Sequence, residues 1–281
     1  MKSKHTAFLF LLTLLSTVLH NISYGQDIDS VNFCNTKWRT SAVDKGIYWK
    51  QANIIDLFNS RQEVNIIEID LKKHNKSLRL AALANSLKKT STLAQQHHAI
   101  VAINGGFFNM KNGGAVDFIK VEDTIVNTTA SPSLRANAYF AFNSRKTIIT
   151  TDSSQTSPYP NVLLSGPLLV KDSRQQQLAK NAFNDNRHPR TAIALKGNKL
   201  ILCTVDGRNA NSQGLNLEEL SKILRWYGCH DAMNLDGGGS TTMYIKGQPD
   251  EGIVNYPSDN KQFDHLGERS VANIIYIFSK K

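Results

Sequence analysis

The sequence predicts an α+β fold in a single domain, with a mixed, mostly antiparallel β-sheet and a few packed helices. Three observations predict it. From about Val31 onward, short β-branched runs alternate with polar turns. Only one stretch carries a clear helical period. The chain's 281 residues, 41% of them hydrophobic and 20% charged, suffice for one large core. The same numbers exclude global disorder, and three cysteines exclude a disulfide-dense scaffold.

The first residues stand apart. Lys2 and Lys4 precede an apolar run over 7–19, short for a membrane span and about the length of a signal-peptide core. Ser23 and Gly25 give small residues at the spacing of a cleavage site, placing the cut before Gln26. The expected organisation is a signal peptide over 1–25, an N-terminal extension over 26–63, and a catalytic domain over 64–281. The mature protein is expected to be exported, periplasmic or extracellular, with no stable membrane anchor. Export permits a disulfide, and Cys34 with Cys229 is the more plausible pair; Cys203, inside an apolar run, reads as a small buried hydrophobe.

Residues 64–71 have β-branched enrichment and partial alternation, so they read as a strand. A short helix over 91–98 leads into an apolar strand over 99–103, and His97 and His98 read as exposed or capping residues. Further strands are expected over 138–142, 147–150, 191–195, 200–205 and 271–278. Residues 196–199, Lys-Gly-Asn-Lys, read as a hairpin turn. Residues 153–160, with two prolines among Ser and Thr, read as a surface loop within the domain. The clearest helix runs over 217–227: Asn216 can cap it, Glu219 completes a capping box, and Leu217, Leu220, Ile223 and Leu224 share one face. A short strand over 231–235 ends in a glycine-rich loop.

Two loops at strand ends stand out. In Asn104-Gly-Gly-Phe-Phe108, Gly105 and Gly106 allow a ligand to approach the backbone, or form a tight turn with the aromatics in the core. In Asp236-Gly-Gly-Gly-Ser240, the amides of Gly237, Gly238 and Gly239 can form an anion nest beside the Ser240 hydroxyl. No lysine follows in Walker spacing, and the loop is no nucleophile elbow. Arg190 and Arg208 stand at strand boundaries, where a guanidinium fork suits phosphate or a surface ion pair. Glu268 and Arg269 offer another carboxylate–guanidinium pair.

Together these segments resemble the phosphodiester glycosidase family, in its exported bacterial form. The matching segments are 102–108, 187–192, 205–208, 216–220, 232–243 and 269–273, in the family's order, and Asn234-Leu-Asp-Gly-Gly-Gly-Ser240 is the most specific. The resemblance implies a hydrolase that releases a sugar, GlcNAc-like, from a sugar-1-phosphodiester on a phosphate-bearing carbohydrate. The site residues it suggests are Asp236 and Asp206 as catalytic carboxylates. Arg190, Arg208, Arg269, Gly237, Gly238, Gly239 and Ser240 would hold the phosphate. Asn104 and Asn234 would orient sugar hydroxyls or phosphate, with Gly105 and Gly106 beside them and Phe107 stacked on the ring. A divalent cation, Ca²⁺ or Mg²⁺ on Asp206 and Asp236, is the competing role for those carboxylates.

The formal charge is +10, from 33 Lys+Arg against 23 Asp+Glu, and falls to +8 without the two signal lysines. The lysines are scattered and no aromatics interleave with them, so nucleic-acid binding is not expected. Two other functions fit the same motifs: a metal-dependent phosphodiesterase cutting the P–O bond, and a non-catalytic phospho-glycan-binding module.

Overall fold

A computed structural model of the chain describes residues 28–130 and 132–278, so the expected signal segment lies outside the described residues. An eight-stranded sheet forms the centre, in the order Arg39–Asp44, Ile47–Ile54, Gln62–Asp70, Lys199–Val205, Arg190–Lys196, Asp231–Asn234, Leu168–Lys171 and Arg174–Gln175. A four-stranded sheet runs Met243–Ile245, Ala99–Asn104, Asn273–Phe278, Leu78–Ala82. A five-stranded sheet runs Thr147–Thr150, Ala138–Phe142, Asn161–Ser165, Ile119–Val121, Thr124–Asn127. Every ladder among the described residues is antiparallel. The α+β class therefore holds.

One apolar cluster joins the three sheets. Ile67, Ile69, Leu200, Leu202, Ile193 and Leu195 from the large sheet meet Val101, Ile103, Ile275 and Ile277 from the four-stranded sheet, and Phe140 and Leu163 from the five-stranded one. The opposite face of the large sheet is also covered. There Val64, Ile66, Ile201 and Cys203 pack against Leu217, Leu220, Ile223 and Leu224 of the helix Leu217–Trp226. Burial of both faces explains why 64–71 alternated only partially in sequence: either face of a covered strand accepts an apolar side chain.

The capping box at Asn216 and Glu219 is formed as expected, and Glu219 also holds Arg187. The Lys196–Lys199 turn closes with Gly197 at φ +56°. The short helix is Thr90–Gln96, and His97 and His98 are exposed. The expected strand over 271–278 is broken at Ala272, whose carbonyl accepts from the Leu83 amide. Ser270–Val271 pairs with Lys88–Lys89, and Asn273–Phe278 enters the four-stranded sheet.

Two other sequence readings are corrected. Cys34 and Cys229 are not paired; Cys34 is exposed and all three thiols are free. Cys229 instead lies close enough to Cys203 to disfavour the Cys203 thiolate, and burial lifts the Cys229 thiol to about 12. Glu268 and Arg269 do not form a pair. Glu268 accepts from the amide and hydroxyl of Ser91 at the start of the short helix, while Arg269 turns to Asp259.

Candidate active site

The inner face of the large sheet changes character along its strands. Side chains two apart share a face, so Glu63 and Asn65 continue the row of Ile67 and Ile69. Likewise Thr204 and Asp206 continue Leu202 and Leu200, and Thr191 continues Ile193 and Leu195. All five polar residues are buried. The strand ends Gln62, Val205, Arg190 and Asn234 lie along this polar end, as do Asn104, Asn273 and Met243 of the four-stranded sheet. The strand registers thus bring most of the sequence motifs to one place.

Asn104 ties the two sheets together there. Its amide donates to the Asp236 carbonyl at 2.6 Å, and its carbonyl oxygen accepts from the Thr191 hydroxyl and the Thr242 amide at 2.8 and 3.1 Å. Asn104 is fully buried, so it positions Asp236 and does not reach a sugar. The Asp236 amide in turn donates to the Gly105 carbonyl at 3.0 Å. Gly105 and Gly106 are buried under Asn273, whose side-chain oxygen accepts from the Gly106 amide at 2.6 Å. A Cβ at Gly105 would collide with that oxygen. These glycines admit an asparagine, not a ligand. Phe107 is 4% exposed and lies edge-on to Phe183, with the Arg135 guanidinium 4.1 Å from its ring centre. A stacking role on sugar is therefore replaced by a core role.

The three-glycine loop is also more closed than its sequence suggested. The Gly238 amide donates to the Pro189 carbonyl at 2.8 Å and the Ser240 amide to the Gly237 carbonyl at 3.3 Å. The Gly238 amide, central to the expected nest, is thus already engaged within the fold. The glycines serve close approach instead. A Cβ on Gly237 would lie 2.7 Å from the Pro189 oxygen, and Gly239 lies beneath the Asp259–Arg269 pair. Gly238, at φ +64°, lies under the Arg208 guanidinium, with Nη2 at 3.0 Å from where its Cβ would be. Arg208 is exposed and makes no ion pair among the described residues.

Asp236, two residues before Gly238, is partly exposed. Burial raises its carboxyl to about 6, while Ser240, the Gly237 amide, Arg269 and Arg135 favour the charged form. The Ser240 hydroxyl acts on it electrostatically, outside hydrogen-bond geometry, and is itself fully buried, which removes it as a direct phosphate ligand. Partly buried His188 lies within electrostatic reach of Arg208 and Arg190; burial first, and then both arginines, hold its imidazole below the usual range.

Three further expectations are corrected by burial. Asp206 is fully buried: Oδ1 accepts from Asn255 Nδ2 at 2.7 Å, and Oδ2 has no hydrogen-bond partner. Desolvation raises its carboxyl to about 7, so it is a buried acid beneath the site and not a group touching substrate. Arg190 is 2% exposed and donates to the carbonyls of Leu215, Phe183 and Asn186, which makes it a staple. Asn234 is 1% exposed and donates to the carbonyls of Gly166 and Leu235. Arg269 has its fork engaged by Asp259 and influences Asp236 only through charge. Among the described residues no group of three or more His, Cys, Asp or Glu is arranged around Asp206 and Asp236 to hold a metal ion.

Sequence reasoning missed Arg135, Asp117, Asn255 and Asp259. None lies in a motif with a recognisable spacing, and only the folded chain brings them to the site. Asn273 was within reach, because it closes a segment that matched the family's order.

A family model described as phosphodiester glycosidase matches residues 97–278. The mouse N-acetylglucosamine-1-phosphodiester alpha-N-acetylglucosaminidase is 28% identical over 183 residues, covering 58% of this chain and 34% of the mouse protein. The matched stretch is thus about a third of that relative's length. The zebrafish catalytic domain of the same name, auto-inhibited by its pro-peptide, superposes with a TM-score of 0.67 at 20% identity, covering 87% of this chain and 88% of that one. A hypothetical protein from Synechocystis gives a TM-score of 0.74 at 18% identity, covering 87% and 64%. These two show the same fold. The family model spans well over half of the sequence and takes in Asn104, Arg208 and Asp236, so the chain belongs to the phosphodiester glycosidase family.

Proposed function

We propose that the protein hydrolyses a sugar-1-phosphodiester at the anomeric carbon, releasing the sugar and leaving a phosphomonoester on the acceptor. The observation that carries this reading is the exposed Arg208 guanidinium, without an ion pair among the described residues, lying over Gly238 of the loop that carries the partly exposed Asp236 two residues earlier. Breaking the C1–O bond builds positive charge on the sugar ring and negative charge on the departing phosphate. Asp236 faces the first charge and Arg208 the second. A phosphate monoester leaves readily without a strong general acid. Asn104, Gly105 and Asn273 hold the Asp236 backbone in place.

A GlcNAc-like sugar is part of the same proposal and is supported by the name of the mouse relative. An exported location is supported by the pattern over 1–25; among the described residues no helix is long and apolar enough to cross a membrane. The test is incubation with α-N-acetylglucosamine-1-phosphodiester models, with and without chelator, and identification of the products. Free sugar in both arms is expected. Sugar-1-phosphate lost on chelation would instead identify a metal-dependent phosphodiesterase, and binding without turnover a glycan-binding module.

A further inference from the structure

Asp206 is too deeply buried to serve as a second carboxylate, yet the chemistry proposed for this site calls for one on the far side of the anomeric centre. The turn 104–107 shows where one stands. On one side, the Asp236 amide donates to the Gly105 carbonyl. On the other, Phe108 bridges Ala115 antiparallel and the Val116 amide donates to the Phe107 carbonyl at 3.1 Å, which sets Asp117 beside the turn. The two aspartates therefore bracket the same short turn. Asp117 is partly exposed, and its Oδ2 is buried with no hydrogen-bond partner. Over the turn lies Arg135, exposed, without an ion pair among the described residues, its guanidinium resting on the Phe107 ring.

We propose that Asp117 is the second catalytic carboxylate, facing Asp236 across the 104–107 turn, and that Arg135 is a second phosphate-binding guanidinium opposite Arg208. This rests on the phosphodiester-hydrolase reading above. In the step, a water oxygen forms the new bond to C1 and its proton passes to Asp117. The C1–O bond breaks, and its electron pair leaves on the phosphate held by Arg208 and Arg135. The acceptor keeps the phosphomonoester. Burial raises the Asp117 carboxyl above the usual range against the pull of Arg135, which suits a group that must accept a proton. Arg135 also favours the charged form of Asp236, so one guanidinium is felt by both carboxylates.

The test pairs turnover with a binding measurement that needs no turnover. On a small α-linked sugar-1-phosphodiester, Asp117→Asn is expected to lower kcat by about 100-fold or more with KM within about threefold. Inorganic phosphate is titrated by calorimetry into wild type, Arg135→Gln, Asp117→Asn and Arg79→Gln. Arg79 stacks on Phe278 away from the site and serves as control. Arg135→Gln should bind phosphate about tenfold more weakly, Asp117→Asn more tightly, and Arg79→Gln as wild type does. An active wild type with undiminished kcat in Asp117→Asn overturns the carboxylate assignment, and unchanged phosphate affinity in Arg135→Gln overturns the guanidinium assignment. A wild type that releases no sugar while phosphate binding follows this order overturns the hydrolase reading and with it Asp117's catalytic role, and leaves Arg135 as an anion site. Because Arg135 is exposed, its variant keeps the test decisive even if Asp117→Asn folds poorly.

Discussion

Two aspartates one strand apart in the sheet show how burial divides acids by role. Asp206 and Asp236 are both raised by desolvation, to about 7 and about 6, yet only Asp236 reaches solvent. With the charged form of Asp236 active, turnover should rise with pH through about 6 and level above it. A profile flat from pH 5 to 7 would contradict that role. Asp236→Asn should reduce kcat by about 1,000-fold with the thermal midpoint nearly unchanged. Arg208→Gln should weaken binding of the phosphomonoester product by about tenfold or more while leaving binding of the free sugar unchanged. Equal losses for both products would place Arg208 elsewhere than on phosphate. At this scale Asp236 and Arg208 stay in the proposal, while burial takes Arg190, Asn234 and Ser240 away from a ligand. Residue type announces a capacity for hydrogen bonding, but which groups satisfy it depends on neighbours brought in by the fold, as the three backbone carbonyls around Arg190 show.

At the level of elements, the strands with covered faces were the most legible. Ala138–Phe142, Thr147–Thr150 and the hairpin joining Arg190–Lys196 to Lys199–Val205 follow their β-branched and apolar runs closely. The helix Leu217–Trp226 was marked by its cap and its apolar face. Edge and short strands were not legible. Arg39–Asp44 is nearly all exposed, and Met243–Ile245 has three residues, so neither carries enough pattern to be read. The glycine loops were recognised as special for the wrong reason: they admit Asn273, Pro189 and the Asp259–Arg269 pair rather than a ligand. Gly105→Ala should therefore destabilise the fold by about 1–3 kcal/mol and lower turnover by displacing Asp236, as read from paired melting and rate measurements. Wild-type stability in that variant would show that Asn273 can yield.

Across the whole molecule, one core joins three sheets at their apolar end and leaves the polar end for chemistry. On the helix-side face, Glu68 is 4% exposed. Burial would raise its carboxyl, but Lys199, the Tyr227 hydroxyl and Lys50 outweigh it and hold it at about 2. A carboxyl depressed from 4.5 to about 2 adds stability that is complete above about pH 4.5 and lost as pH falls toward 2. Glu68→Gln should lose about 3 kcal/mol at pH 7 and show a weaker acid dependence below pH 4.5, measured by denaturant melts. An unchanged acid limb would show that other carboxylates dominate it. Part of the basic excess is held in such internal pairs, while Arg208 over Gly238 and Arg135 over the Phe107 ring make no ion pair among the described residues. The most direct test of the central claim is hydrolysis of an α-sugar-1-phosphodiester in ¹⁸O-water, followed by mass analysis of both products. Attack at the anomeric carbon places the label in the free sugar and none in the phosphomonoester. Label in the phosphate would mean that the P–O bond is cut and would contradict the assignment of Asp236 to the sugar.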